Sequence, residues 1–191
     1  MKRTLMLLGC FAVLGVATAA RQGTGGQPAP QLPTSVPAEV NGFYTTIAGY
    51  ITRSAAMVPE DKYAWQPTPE VRSFARLFAH ITDDNNGACA AMAEVTPAPV
   101  RMDTGAAGAW AADKMKKADL EKALADSVAL CQKAFAAVTP ANMMESAGGR
   151  GTRTKIGMLI YNTSHVNEHY GNLVTYLRLN GMVPPSSQGG M

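Results

Sequence analysis

Four stretches of this 191-residue chain carry apolar residues at three- and four-residue spacing, which places them on one face of an α-helix. In the first, over residues 35–58, the stripe is Val40, Tyr44, Ile47, Ile51 and Ala55. Ser35 can cap its start with Pro37 in the first turn, and Pro59 disfavours helical geometry in the residue before it. The second, over 73–94, has Ser73 as N-cap and Phe74, Leu77, Phe78, Ile81 and Ala88 on its apolar face. The third, over 116–138, runs through Leu120, Leu124, Val128, Cys131, Phe135 and Val138, while Lys116, Lys117, Glu121, Lys122 and Asp126 mark its wet faces. The fourth starts at the cap Thr154 and runs to 180 through Leu159, Val166, Tyr170, Leu173 and Leu177. Gly181 fits the left-handed position after it, and Pro184-Pro185 prevents resumption. No internal repeat and no long alternating strand pattern is present. The spacing predicts an all-α chain, a four-helix bundle with uneven connections. Much of the 47% hydrophobic content is alanine and methionine with few β-branched runs, which also favours helix over sheet.

The connections differ in character. Residues 60–72 carry two prolines and mixed polarity and read as an ordered crossover, with Trp65 as an anchor. Residues 96–112 form a loop broken by Pro97, Pro99, Gly105 and Gly108, in which Trp110 is the one bulky apolar residue and could cover part of a pocket. The third connection, 139–153, has a glycine-rich tip, Gly148-Gly149-Arg150-Gly151, that lacks the phosphate-loop pattern.

The N-terminus reads as an export signal over residues 1–19. Lys2 and Arg3 precede an apolar run from Leu5 to Val16 that is too short to span a bilayer, and Ala17-Thr18-Ala19 matches a small-x-small cleavage site. The short run argues against a permanent anchor. Lipidation at Cys10, within Leu7-Leu8-Gly9-Cys10, is disfavoured because the apolar run continues past it. The expectation is a periplasmic or secreted protein with no stable membrane insertion after cleavage. Residues 20–34 form a Gly/Pro/Gln linker, 35–185 the folded domain and 186–191 a flexible tail. The net charge is only +3, with no basic stripe interleaved with aromatics, so nucleic acid is not an expected partner.

Export changes how the cysteines read. Cys10 leaves with the signal, and Cys89 and Cys131 remain as an even pair in an oxidising compartment. A disulfide between them would close a loop of about 40 residues and contribute about 4 kcal/mol on the chain-entropy model. The alternative is two buried thiols acting as small hydrophobes.

The chain has three histidines. His165 and His169 are spaced i, i+4 and so share one face of the fourth helix. His80 lies at the shoulder of the second helix's apolar stripe, with Asp84 one turn later on the same side. Three imidazoles brought together can hold a divalent ion with a position left for water. Asp84 would be either a further ligand or the group that orients His80. The alternative is that these are ordinary structural histidines. The zincin peptidase motif is absent, because Glu168 precedes the second histidine of the pair instead of following the first.

Two segments then carry a family resemblance. Residues 67–81, Pro-Thr-Pro-Glu-Val-Arg-Ser-Phe-Ala-Arg-Leu-Phe-Ala-His-Ile, resemble the second-helix signature of the DinB-like (YfiT-like) proteins. Residues 162–171, Asn-Thr-Ser-His-Val-Asn-Glu-His-Tyr-Gly, resemble their fourth-helix signature. The resemblance implies an up-down-down-up four-helix bundle, often a homodimer, with a divalent metal on His80, His165 and His169. Characterised members of the family include metal-dependent thiol S-transferases and a thiol-dependent isomerase. Zinc or nickel is the expected ion, with iron or manganese as further choices. The sequence reading is thus an exported metal-dependent enzyme that activates water or a thiol for hydrolysis or group transfer on a small molecule. Its rival is a non-enzymatic envelope protein that binds metal or ligand. No catalytic residue beyond the metal ligands is assigned.

Overall fold

Each helix begins where its local chemistry permits. In the computed structural model, which describes residues 31–93, 102–103, 111–148 and 152–189, helix α1 spans Val36–Met57, α2 Phe74–Cys89, α3 Lys117–Ala136 and α4 Lys155–Leu179. The N–H groups of Ala38, Arg76 and Gly157 donate to the side-chain oxygens of Ser35, Ser73 and Thr154 at 3.3, 3.2 and 3.1 Å. These are the expected N-caps, each satisfying an N–H that a helix start leaves without a partner. Helix α3 starts without a side-chain cap. At the end of α4, Gly181 has φ +74, the Met182 N–H bonds the Leu177 carbonyl at 2.9 Å and the Gly181 N–H bonds that of Arg178 at 3.0 Å. This is a Schellman ending, and the positive φ is why glycine stands there.

The structure adds detail to the sequence reading at three places. Helix α2 stops at Cys89, and residues 90–93 continue in turns. Alanine-rich sequence reads as helix locally, but the Ala93 N–H still bonding the Cys89 carbonyl at 2.9 Å is here part of a turn. Residues 60–62 form a short 3-10 turn inside the first crossover. The segment read as a tail from Ser186 begins as a 3-10 turn, Pro185–Ser187. The Tyr170 hydroxyl donates to Ser186 Oγ at 2.8 Å and accepts from the Ser186 N–H at 2.9 Å. Residues 1–30, which hold the expected signal and most of the linker, lie outside the described residues, as do Trp110 and 149–151.

The main helix pairings are α2 with α3, α1 with α4, α1 with α3 and α2 with α4. Tyr44, early in α1, bonds Asn85, late in α2, at 3.2 Å and meets the Phe135 ring, late in α3, at 4.9 Å. Lys117, first in α3, donates to the Ala56 and Val58 carbonyls at the far end of α1, at 2.8 and 2.7 Å. Phe74, first in α2, meets Tyr176, late in α4, at 5.5 Å. So α1 and α4 run one way and α2 and α3 the other, an up-down-down-up all-α bundle. Among the described residues there is no strand, only an isolated bridge between Ser146 and Thr154.

The core is built from the predicted stripes. Tyr44, Ile51, Leu77, Phe78, Leu120, Leu124, Phe135, Leu159, Leu173 and Leu177 are fully buried. Each such side chain contributes about 1.5–3 kcal/mol by leaving water. Trp65 packs half-buried between Phe74 and Tyr176, which fastens the first crossover. A disulfide joins Cys89 to Cys131 with Cα atoms 5.1 Å apart, tying the end of α2 to α3 across a separation of 42 residues. Beside it lies a buried polar network with one member per helix. Asn85 Oδ1 accepts from the Tyr44 hydroxyl and from Asn162 Nδ2, at 3.2 and 3.0 Å, and Asn85 Nδ2 donates to Ser127 Oγ at 3.2 Å. Because buried polar groups must find partners, the network fixes the register of all four helices at that level.

Candidate metal centre

The α2–α4 seam holds all three histidines. Spacing of i, i+4 on α2 presents His80 and Asp84 together, and the same spacing on α4 presents His165 and His169. His169 is buried, His80, Asp84 and His165 are half-buried, and Glu168 faces solvent. One ligand atom from each of His80, Asp84, His165 and His169 can be chosen so that all lie within 4.8 Å of one another.

Within this set several side-chain atoms approach closely. His165 Nε2 and His169 Nε2 are 2.9 Å apart, and at most one of them carries a proton in a neutral pair. Asp84 Oδ2 lies 2.9 Å from His80 Nε2 and 3.2 Å from His165 Nδ1. Both Asp84 Oδ2 and His165 Nδ1 are buried polar atoms without a hydrogen-bond partner among the described residues. An orphaned buried carboxylate oxygen is costly, and a cation would satisfy it. Ligands around a tetrahedral zinc at about 2.0–2.1 Å sit about 3.3 Å from one another, and the four ligand atoms here lie within 4.8 Å of one another. The donor set of three imidazoles and one carboxylate therefore fits a divalent ion.

Electrostatics divides the histidines. Burial lowers the His169 pKa to about 4, helped by positive charge on His80 and His165, so His169 is neutral and its lone pair available. At His80 burial also pulls downward and Arg72 adds to that, but the closeness and charge of Asp84, with the bond to Asp103, outweigh both. The His80 pKa is raised.

The structure adds residues that the sequence reading passed over. His80 Nδ1 is 2.8 Å from Asp103 Oδ2, and Arg72 donates to the same oxygen from Nε and Nη2 at 3.3 and 3.2 Å. The N–H groups of Met102 and Asp103 donate to the Asp83 carboxylate at 2.6–2.9 Å. Asn172 Nδ2 lies 3.4 Å from His169 Nδ1. Tyr161 stacks on His165 at 5.8 Å, with the Arg153 guanidinium 4.2 Å above the Tyr161 ring. The one available signal was that Asp103 is the only acidic residue in 96–112. Trp65 packs at the Tyr176 end of the bundle, away from any role as a cover for the histidines. A groove of about 280 Å³ lies on the other side of α4, against α1, lined by Val40, Phe43, Ile47, Ile160, Thr163 and Asn167 among others. It does not include the histidines.

No curated protein matches the chain. A family model described as the DinB superfamily matches residues 48–173, from the middle of α1 to the last turns of α4, and so takes in the four converging side chains and most of the bundle around them. With the fold, the helix order and that match in agreement, the chain belongs to the DinB superfamily.

Proposed function

We propose that this protein is an exported metal-dependent enzyme that holds one divalent ion through His80, His165 and His169, with Asp84 as a fourth ligand. The observation that carries the reading is the orphaned Asp84 Oδ2, buried 2.9 Å from His80 Nε2 and 3.2 Å from His165 Nδ1. Bound there, a divalent ion would supply Lewis acidity, bringing the pKa of a coordinated water towards about 7 or stabilising a substrate thiolate. The chain's own part is to present neutral imidazoles and to hold them rigidly. His169 is kept neutral by burial, and both histidine pairs stand on packed helices and not on loops. The reaction class is hydrolysis or group transfer on a small molecule. Imidazole favours zinc or nickel, and the carboxylate admits iron or manganese. Export rests on the N-terminal signal sequence, and the Cys89–Cys131 disulfide supports it. No helix among the described residues is long and apolar enough to cross a membrane.

One observation favours the rival reading. With Asp84 counted, four protein ligands could close a tetrahedral ion and leave a binding protein without chemistry. Two measurements decide. Purified protein should carry about one divalent ion per chain, lost in the His165→Ala, His169→Ala double variant while helicity is retained; equal metal in that variant sinks the site. The visible spectrum of the cobalt-loaded protein should shift when a small thiol is added. An unchanged spectrum means a closed site and gives the protein to the rival reading.

A further inference from the structure

The crossover over residues 96–112 holds a single carboxylate, Asp103, and the fold buries it. Its side chain is only 4% exposed. Two devices keep it there. Asp83 accepts the N–H groups of Met102 and Asp103, which fastens this point of the crossover to α2. Arg72, just before α2, donates twice to Asp103 Oδ2 and balances its charge. The same oxygen lies 2.8 Å from His80 Nδ1. A carboxylate paired with arginine can only accept, so His80 Nδ1 must carry a proton and donate it. The other ring nitrogen, Nε2, then faces Asp84 and the α4 histidines.

We infer that Asp103 is a positioning residue for His80: it fixes the ring's orientation and tautomer so that Nε2 presents its lone pair to the ion. The inference rests on the metal-binding reading above. The two carboxylates beside His80 thereby take different parts. Asp84 Oδ2 has no hydrogen-bond partner and belongs to the converging set. Asp103 Oδ2 is engaged by Arg72 and stands on the far side of the ring, outside that set. A carboxylate on the outer nitrogen of a metal-bound imidazole raises its basicity and removes the cost of orienting it, which is worth about 10- to 100-fold in metal affinity. The consequence for the sequence is that a loop far from any histidine sets the affinity of the site.

The test is zinc affinity, measured by competition with a chromogenic chelator. The proteins compared are the full chain, Asp103→Ala, Asp103→Asn and the His165→Ala, His169→Ala double variant. Asp103→Ala should bind one zinc about 10- to 100-fold more weakly. Asp103→Asn keeps an accepting oxygen and should fall between the two. If Asp103→Ala does not fold, the near-isosteric Asp103→Asn carries the test alone, with weaker binding expected. A long-range proton–nitrogen spectrum of the zinc-loaded proteins gives a readout that a purely structural role would not move. A His80 Nδ1–H signal protected from exchange is expected in the parent and lost in Asp103→Ala. Unchanged affinity in both Asp103 variants overturns the inference, and so does weaker binding with the protected signal intact. Failure of the parent chain to bind zinc more tightly than the double variant would instead overturn the metal-binding reading itself.

Discussion

Two polar clusters sit side by side in the α2–α4 seam and differ in how their lone pairs end. The neutral one, built on Asn85 and Asn162, runs from Tyr44 on α1 to Ser127 on α3 and is hydrogen-bonded among its own members except at Asn162 Oδ1. The other follows within a turn on α4 and immediately precedes Asn85 on α2. It leaves Asp84 Oδ2 and His165 Nδ1 buried without a partner. Both carry the desolvation penalty of polar groups in a helical core. The first is uncharged, offsets most of it internally and so specifies register. The second offsets it only if something positive enters. Neighbouring residues of one seam thus serve architecture and chemistry separately, and the separation can be tested.

Removing the disulfide by a Cys89→Ala, Cys131→Ala double variant should have the largest effect on stability. It borders the neutral cluster, with Cys131 Sγ 3.8 Å from Asn162 Nδ2. Urea titration should lose about 4 kcal/mol on the chain-entropy model. Bound metal per chain should stay unchanged, and a fall in metal content would break the division between the clusters. Next in size is the ion itself. At a free concentration 100-fold above its Kd, added metal should stabilise the chelated protein by about 2.7 kcal/mol, read as a higher melting temperature. A double variant of His165 and His169 should show no such rise.

Asn85→Ala should cost about 2 kcal/mol, because it leaves the Tyr44 hydroxyl, Ser127 and Asn162 short of partners in the core. Metal uptake measured at saturation should remain at the parent level. The smallest effect expected is a pH dependence of the metal-free protein. His169 has its pKa lowered from 6.5 to about 4, so the unfolded chain binds the extra proton between those values. Its contribution to stability is present above about pH 6.5 and is lost as pH falls towards about 4. His80, with its pKa raised, acts the opposite way: its contribution is present at low pH and fades as pH rises through its folded value. Thermal melts across this range should therefore be steeper on the acid side in a His80→Gln variant and flatter in His169→Gln. Identical profiles would mean that the two histidines do not differ as described.

What could be read from the sequence was whatever depends on local spacing. Caps at Ser35, Ser73 and Thr154 and the stripes through Leu120, Val128, Val166 and Leu173 needed only the 3.6-residue period. The pairs His80 with Asp84 and His165 with His169 needed only i, i+4. The end of α2 was misjudged because alanine-rich sequence carries no stop signal. Asp103 was missed for a different reason. Its role arises from contacts 20 to 31 residues away in the chain, to Asp83, His80 and Arg72, and no local pattern encodes them. The same limit applies to the network centred on Asn85, whose partners come from the other three helices.

The clasp of Asp83 on the Met102 and Asp103 amides also has a consequence for the chain as a polymer. It divides the stretch between Cys89 and the crossover's second anchor, Asp113 bonded to Ser73 and Arg76, into two shorter spans that meet at a fixed point. The entropy of closing a loop grows only slowly with its length, so either span could lengthen at little cost in stability. An insertion on one side of the clasp would leave the other side, and the position of Asp103, where they are. The arrangement leaves this part of the chain free to drift in length over evolution while the pinned dipeptide keeps its address.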